Sequence, residues 1–83
     1  MEIKTHNKKQ LLVAFKRFRK LASLSQEQLS ENSGIPQSSI SKFENGTREP
    51  GLATLFKVAS TLGLEIVVRK KERTKNPDEG LVI

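Results

Sequence analysis

Residues 37–45 carry a cluster of side chains that can form hydrogen bonds with nucleic-acid bases. Ile40 and Phe43, three positions apart, would share the buried side of a helix, so the polar residues between them would face outward. These outward residues are Gln37, Ser38, Ser41 and Lys42. Their amide, hydroxyl and amine groups are of the types that contact base edges in the major groove of DNA. The alternative is an ordinary polar helix surface without a binding role.

A second candidate contact is Gln26, the first helical position after Ser25. Free amide groups make the start of a helix partly positive, which suits a phosphate oxygen. Residue types that support catalysis are scarce, because the chain has one histidine and no cysteine, tyrosine or tryptophan. We therefore expect no enzyme activity, no metal site and no cofactor.

Size and charge indicate one small domain with an anionic partner. With 83 residues the chain can bury a single core, and without cysteine it has no disulfide to reinforce that core. Its net charge of +6 favours nucleic acid as the partner first and an acidic membrane surface second. No apolar run approaches the roughly 20 residues that a bilayer requires, and no signal peptide opens the sequence. We expect a cytoplasmic, nucleoid-associated protein that does not bind membranes.

The apolar spacing predicts four short helices, and short polar or glycine residues mark their ends. The expected starting caps are Asn7 or Thr5 for the first helix, and Ser25 with Gln28 in a capping box for the second. Glycines are expected to close the last three helices: Gly34, Gly46 and Gly63. The second and third helices, joined by a glycine-containing turn, have the sequence form of a DNA-reading helix-turn-helix.

The buried side of the fourth helix is predicted from an apolar stripe. That stripe is Leu52, Leu55, Phe56, Ala59 and Leu62. All four phenylalanines are expected in the core rather than stacked on bases: Phe15, Phe18, Phe43 and Phe56. The fold would thus be a small bundle in which helix packing orients the third helix.

After Gly63 the apolar period changes from that of a helix to that of a strand. Leu64, Ile66 and Val68 alternate with other residues, and a single strand leaves both of its edges unpaired. We therefore expect this strand to pair with its mate in a homodimer. A flexible polar tail is expected to follow, ending in three aliphatic residues that could dock on a partner protein: Leu81, Val82 and Ile83.

Several segments agree in one register with a known family: residues 24–30, 34–35 and 40–46, followed by Pro50, Leu52, Thr54 and Leu55. They resemble the helix-turn-helix of the phage repressor and Cro family, also called XRE-type regulators. The resemblance implies base contacts from Gln37, Ser38, Lys42 and, as a further candidate, Ser41. It implies phosphate contacts from Gln26, Asn45, Thr47 and Arg48. It also pairs Arg19 with Glu44 in an ion pair that joins the first helix to the reading helix.

The sequence departs from that family at four positions. Ser30 and Ser33 stand where the family favours alanine in the tight helix packing. Pro36 and Gly51 replace the usual polar caps of the third and fourth helices. We expect these departures to leave the fold intact and to change the helix ends.

Residues 62–69 resemble the end of HipB-like antitoxins, whose two chains pair this strand into a lid over the dimer. The fold implied is all-α, with four to five short helices and an added C-terminal β-strand that pairs across a homodimer. We divide the chain into a polar leader (1–9), a helix-turn-helix DNA-binding domain (10–63), a dimerisation strand (64–71) and a flexible tail (72–83).

The functional interpretation is a repressor that binds a double-stranded, pseudo-palindromic DNA operator. The resemblance further implies an antitoxin that binds a HipA-like kinase toxin and regulates its own promoter. Two alternatives remain. The first is a free-standing phage-type or metabolic XRE repressor without a toxin, and the second is a protein-interaction adaptor that uses the same bundle without reading DNA.

Overall fold

Four α-helices account for most of the residues in the computed structural model, which describes residues 1–71. They are α1 (Lys8–Leu21), α2 (Gln26–Ser33), α3 (Gln37–Asn45) and α4 (Leu52–Thr61). Helix α2 packs against α3 and α4, and α1 packs against α3. Residues 1–71 contain no β-strand, so the described part of the chain is all-α.

Capping interactions set the boundaries of α1 and α2. The Asn7 side chain accepts a hydrogen bond from the Gln10 amide at 2.9 Å at the start of α1. Ser25 and Gln28 form a reciprocal capping box at the start of α2, with bonds of 3.0 and 2.8 Å. Gly34 ends α2 with a φ of 76°, a left-handed conformation that glycine adopts without strain. These features confirm the helix ends predicted from the sequence.

Helices α3 and α4 begin without a side-chain cap. Pro36 precedes α3, and only its carbonyl oxygen serves the first turn, accepting from Ser39 at 3.0 Å and Ile40 at 3.2 Å. Gly51 precedes α4 and has no side chain that could accept a hydrogen bond. The two departures from the family pattern therefore leave amide groups in the first turns of both helices without a capping oxygen.

The core lies where α2, α3 and α4 meet. Leu29 and Ile40 are each 2% exposed, and Ile35 and Val58 complete the buried cluster. Three partly buried residues pack against it: Phe15, Phe43 and Leu62. Because Ile40 is anchored in this cluster, one side of α3 is fixed inward and the opposite side faces solvent.

The prediction that Phe56 belongs to the core is wrong. Its side chain is 51% exposed, and Leu52, four positions earlier on the same side of α4, is 71% exposed. Val58 and Ala59 are the buried residues of this helix. Phe56 precedes Val58 by two positions, about 200° around the helix, so the two residues lie on opposite sides. Both residues are apolar, and the sequence pattern therefore did not reveal which of them faces α2.

Residues 64–71 follow α4 without forming a strand in the described single chain. The chain turns at Gly63, and the Leu64 amide donates to the Ala59 carbonyl at 2.8 Å. Beyond this turn Ile66, Val67 and Val68 are exposed, Val68 to 97%. The pairing of Leu64, Ile66 and Val68 across a dimer stays a prediction. The predicted tail over residues 72–83, with its docking residues, lies outside the described residues.

A capping hydroxyl at the start of α4 should stabilise the fold. Gly51 has a φ of −70° and a ψ of 167°, and a Cβ there would meet no atom within 4 Å. We expect Gly51→Ser to unfold with a free energy about 1 kcal/mol higher than that of Gly51→Ala, because only serine can cap a free amide. Urea denaturation of both variants measures the difference. Equal stabilities would contradict this account of the helix start.

Candidate nucleic-acid interface

The outward side of α3 carries the residues that the sequence analysis assigned to base reading. Gln37, Ser38 and Lys42 are exposed, and Ser41 is half-buried. Ile40 and Phe43 hold the other side of the helix against the core. The structure thus brings an amide, a hydroxyl and an amine together on one accessible surface. Contact between this surface and DNA bases stays a prediction.

Three of the predicted phosphate contacts lie just beyond this surface. Asn45, Thr47 and Arg48 are exposed at the C-terminal end of α3 and in the loop that follows. The Thr47 amide donates to the Lys42 carbonyl at 3.0 Å, and the Thr47 hydroxyl donates to the same oxygen at 3.3 Å. The hydroxyl would have to release that long bond before it could donate to a phosphate. The Asn45 and Arg48 side chains would not have to break a hydrogen bond described here before they contact a phosphate.

Glu44 shares the buried side of α3 with Ile40 and binds a guanidinium from α1. Arg19 donates from Nε to Oε2 of Glu44 at 2.7 Å and from Nη2 to Oε1 at 2.9 Å. The two side chains are only 9% and 8% exposed. Arg19 also donates from Nη1 to the Leu24 carbonyl at 2.7 Å. Paired charge-assisted bonds of this kind fix both distance and orientation, so they hold α3 at a set position relative to α1.

Gln26 contacts the same carboxylate, which the sequence analysis did not foresee. Its Nε2 donates to Oε1 of Glu44 at 3.0 Å, and its side chain is half-buried. A glutamine amide has two N–H groups, so one remains for a phosphate. Any phosphate contact by Gln26 would therefore use an amide that Glu44 has already oriented. No local pattern indicates this contact, because 18 positions separate the two residues.

Two serines hold the turn between α2 and α3. The Ser30 hydroxyl donates to the Ile35 carbonyl at 2.5 Å, and the Ile35 amide donates to the Ser33 hydroxyl at 3.2 Å. Both backbone polar groups of Ile35, which is buried, are thereby satisfied. The serines that depart from the family's alanines thus restrain the turn that connects the two helices.

Electrostatics keep the Glu44 carboxyl ionised in the folded protein. Burial raises the pKa of Glu44, but hydrogen bonds from Arg19 and Gln26 lower it. The positive charges of Arg19 and Lys16 lower it further, so the pKa lies below its ordinary value of 4.5. At neutral pH the network therefore contains a negative carboxylate held by a buried cation.

Metal-binding clusters and membrane-spanning helices are not found among residues 1–71. No group of three or more histidine, cysteine, aspartate or glutamate side chains in this range could hold a metal ion. Within the same residues, no helix combines the length and the apolar composition needed to cross a membrane. A cavity of about 20 Å³ lies between Leu12, Leu29 and Val58, which is room for about one water molecule.

Comparison of the sequence with known proteins finds regulators of one kind. The pattern of the HTH_3 family, described as helix-turn-helix, matches residues 15–68. The uncharacterised HTH-type transcriptional regulator y4dL of Sinorhizobium fredii (strain NBRC 101917 / NGR234) is 50% identical over 54 residues, covering 65% of this chain. The regulator y4dJ of the same strain is 38% identical over 53 residues, covering 64% of this chain and 69% of y4dJ. The alignment spans only 28% of y4dL.

Comparison of the fold finds solved structures of HipB. The chain in a HipB–O4 20mer complex superposes with a TM-score of 0.77 at 31% identity. A chain in the structure of a HipA–HipB–O2–O3 complex gives the same TM-score and identity. Each alignment covers 86% of this chain and 100% of the other. The arrangement of the four described helices is therefore similar to that of HipB.

The Glu44 network should make stability fall at acid pH. Because the folded-state pKa of Glu44 lies below the unfolded value near 4.5, its contribution is complete above that value and is lost as pH falls through the folded pKa. We expect Glu44→Gln to lower the free energy of unfolding by about 1–3 kcal/mol at neutral pH, since a charge-assisted bond is weakened.

Urea denaturation across the acid range measures this effect. The difference in free energy of unfolding between wild type and Glu44→Gln should narrow as pH falls below 4.5, because Glu44 binds a proton in the unfolded chain before it does so in the folded protein. Glu31→Gln, at an exposed position on α2, is the matched control and should show a small gap at every pH. A difference in free energy of unfolding that stays constant with pH for Glu44→Gln would contradict a stabilising role for the ionised carboxylate of Glu44.

Proposed function

The chain belongs to the XRE-type helix-turn-helix family, and we propose that it is a sequence-specific DNA-binding transcriptional repressor. The observation that carries this proposal is the accessible polar side of α3, held in place from behind by the buried pair of Arg19 and Glu44. A net charge of +6 suits a polyanionic ligand. The mechanism is occupancy of an operator, which excludes other proteins from the same DNA.

Within this proposal α3 enters the major groove and the neighbouring residues contact the backbone. Base edges are read by Gln37, Ser38, Ser41 and Lys42. Phosphates are bound by Gln26, Asn45, Thr47 and Arg48. Backbone contacts set the position of the helix on the duplex, and base contacts supply discrimination between sequences. The Glu44 carboxylate, which accepts from both Arg19 and Gln26, would link backbone contact to base reading. It orients the Gln26 side chain and holds α3 in place.

We further propose that the repressor is a homodimer joined through residues 64–69. The exposed aliphatic side chains of Ile66 and Val68 support this, since a second copy would remove them from water. In the dimer, Leu64, Ile66 and Val68 pair with their two-fold mates and form a lid. Two reading helices related in this way would bind half-sites about 34 Å apart, one turn of the duplex, or a multiple of it.

The finer proposal is that the protein is the antitoxin of a HipA-like kinase toxin and regulates its own operon. The similarity to a HipB chain in a HipA–HipB–O2–O3 complex supports it. The aliphatic residues Leu81, Val82 and Ile83 are the proposed docking segment for the toxin. A second candidate is a free-standing repressor, which the names of the two Sinorhizobium relatives favour, because both are given only as transcriptional regulators. Co-purification from the native host, with mass spectrometry of the bound proteins, distinguishes the two.

Two lysine substitutions should separate base reading from general charge. Lys42 on α3 and Lys57 on α4 are both exposed, so Lys42→Ala and Lys57→Ala remove the same charge from different helices. We expect Lys42→Ala to relax the preference at one base pair by about 1–3 kcal/mol, because a base-edge hydrogen bond is lost. Lys57→Ala should leave base preference unchanged.

Gel-shift titrations against operator variants at fixed salt measure both effects. Arg48→Ala should weaken binding to all sequences alike and reduce the salt slope by about 1, as expected for a phosphate contact. Equal losses on operator and random DNA for Lys42→Ala would assign that residue to the backbone. Binding with no sequence preference by the wild-type chain would favour the adaptor alternative.

Charging one side of residues 64–69 should break the dimer. By the period of a strand, Ile66 lies on the side of the lid that faces the helices and Val67 on the outer side. We expect Ile66→Glu to convert the dimer to monomer, because a buried carboxylate lacks a partner, whereas the matched Val67→Glu should remain dimeric. Sedimentation velocity gives the mass of each variant. A stable Ile66→Glu dimer would place the interface elsewhere.

A further inference from the structure

The N-terminal leader lies beside the segment that follows α4. The carboxylate of Glu2 is 3.9 Å from Nη2 of Arg69, although 67 positions separate them in the chain. Both side chains are about two-thirds exposed, at 71% and 66%, so this pair contributes little to stability. The contact is informative about position, because it places the leader next to residues 64–69, the proposed dimer strand.

The leader has the alternating exposure of a half-buried strand. Ile3 and Thr5 are half-buried, whereas Glu2, Lys4 and His6 are exposed. Successive side chains of a strand point to opposite sides, so a period of two is expected only from an extended segment. The segment read from its composition as a polar leader therefore has one side suited to face the interior.

The contact between Glu2 and Arg69 selects a direction for pairing. If Glu2 is placed opposite Arg69 in an antiparallel pair, Ile3 lies opposite Val68 and Thr5 lies opposite Ile66. This register matches the half-buried side of the leader to the apolar side of residues 64–69. On the other side, His6 lies opposite Glu65. A parallel register would instead place Lys4 opposite Lys71, and like charges directly opposite each other are destabilising. The antiparallel register is therefore favoured by both sides of the pair.

We propose that residues 2–6 form an outer strand, antiparallel to residues 65–69, in the lid of the dimer. The inference rests on the proposed homodimer, and it gives the lid four strands: leader, lid strand, partner's lid strand and partner's leader. Across residues 1–71 of the single chain, no backbone hydrogen bond joins the two segments. A two-stranded ribbon is marginal alone, but a lid strand already fixed by its mate offers a stable edge.

Such a strand would also cover the outer edge of the lid. An uncovered edge presents free amide and carbonyl groups to other chains and invites aggregation. Because the leader is continuous with α1, it would tie the lid to the helix that carries Arg19. The lid, α1 and the reading helix would then form one connected unit.

Disulfide trapping tests this register directly, because the chain contains no cysteine of its own. The in-register variant is Lys4→Cys with Val67→Cys, and the control is Lys4→Cys with Lys71→Cys, which corresponds to the parallel register. All three positions are exposed, so neither pair should disturb the fold. Directly opposite residues of an antiparallel pair lie within the Cα separation that a disulfide allows, whereas residues several positions out of register do not.

We expect the in-register pair to oxidise several-fold faster than the control, and within one chain. Non-reducing electrophoresis separates intrachain from interchain products, and peptide mass spectrometry maps the bond. Equal rates, a faster control or an interchain bond in an intact dimer would overturn the proposal. Sedimentation of the same samples tests the dimer separately from the leader strand. A monomeric mass would overturn both the proposed homodimer and the four-stranded lid. Operator binding is measured independently by gel shift.

A second test measures the dimer dissociation constant of two serine variants, one on each side of the leader. Ile3→Ser removes an apolar group from the half-buried side, and Lys4→Ser changes the exposed side. We expect the dimer dissociation constant to rise several-fold for Ile3→Ser and to stay unchanged for Lys4→Ser. Circular dichroism checks that both variants keep their helices. Equal dissociation constants for the two folded variants would overturn the proposed strand.

Discussion

The hydrogen bonds to the buried carboxylate of Glu44 are the interaction on which the placement of α3 depends. It accepts hydrogen bonds from Arg19 on α1 and Gln26 at the start of α2, while its own backbone belongs to α3. Removing two charges from water is unfavourable, and the pair is stable only because the geometry is good and the remaining donors are used. The Leu24 carbonyl occupies the third nitrogen of Arg19. Losing one partner would leave the other charge buried without compensation.

A small core makes such polar restraints important. Six apolar residues among those described are buried, so packing alone supplies limited constraint on the angles between helices. The turn between α2 and α3 is held by the hydroxyls of Ser30 and Ser33, and the ends of α1 and α2 by their caps. The outward side of α3 can therefore be presented in a fixed orientation, which direct reading of base edges requires.

Several large apolar side chains of the described single chain are exposed, among them residues on α4 and beyond it. Leu52 and Phe56 on α4, and Ile66 to Val68 beyond it, are in contact with water although they are aliphatic or aromatic. In the proposed homodimer a second copy would cover part of this surface, and its two-fold symmetry would match the proposed pseudo-palindromic operator. Dimerisation and DNA recognition would then be parts of one arrangement.

What the sequence by itself determined is local. The caps at Asn7 and Ser25 and the left-handed glycines at Gly34 and Gly46 were predictable, because each involves residues within a few positions of one another. The outward side of α3 followed from the spacing of Ile40 and Phe43. The pairing of Arg19 with Glu44 came from family resemblance, not from spacing, because 25 positions separate them.

Only the tertiary structure decided the contacts between distant segments. It turned Phe56 outward and Val58 inward, brought Gln26 to Glu44, and placed the leader beside Arg69. In each case the residue types are compatible with several arrangements, and the spacing of apolar and polar residues does not distinguish between them. The choice depends on which surfaces of neighbouring helices meet. That is a property of packing in three dimensions, and it is not encoded in the spacing of residues along one helix.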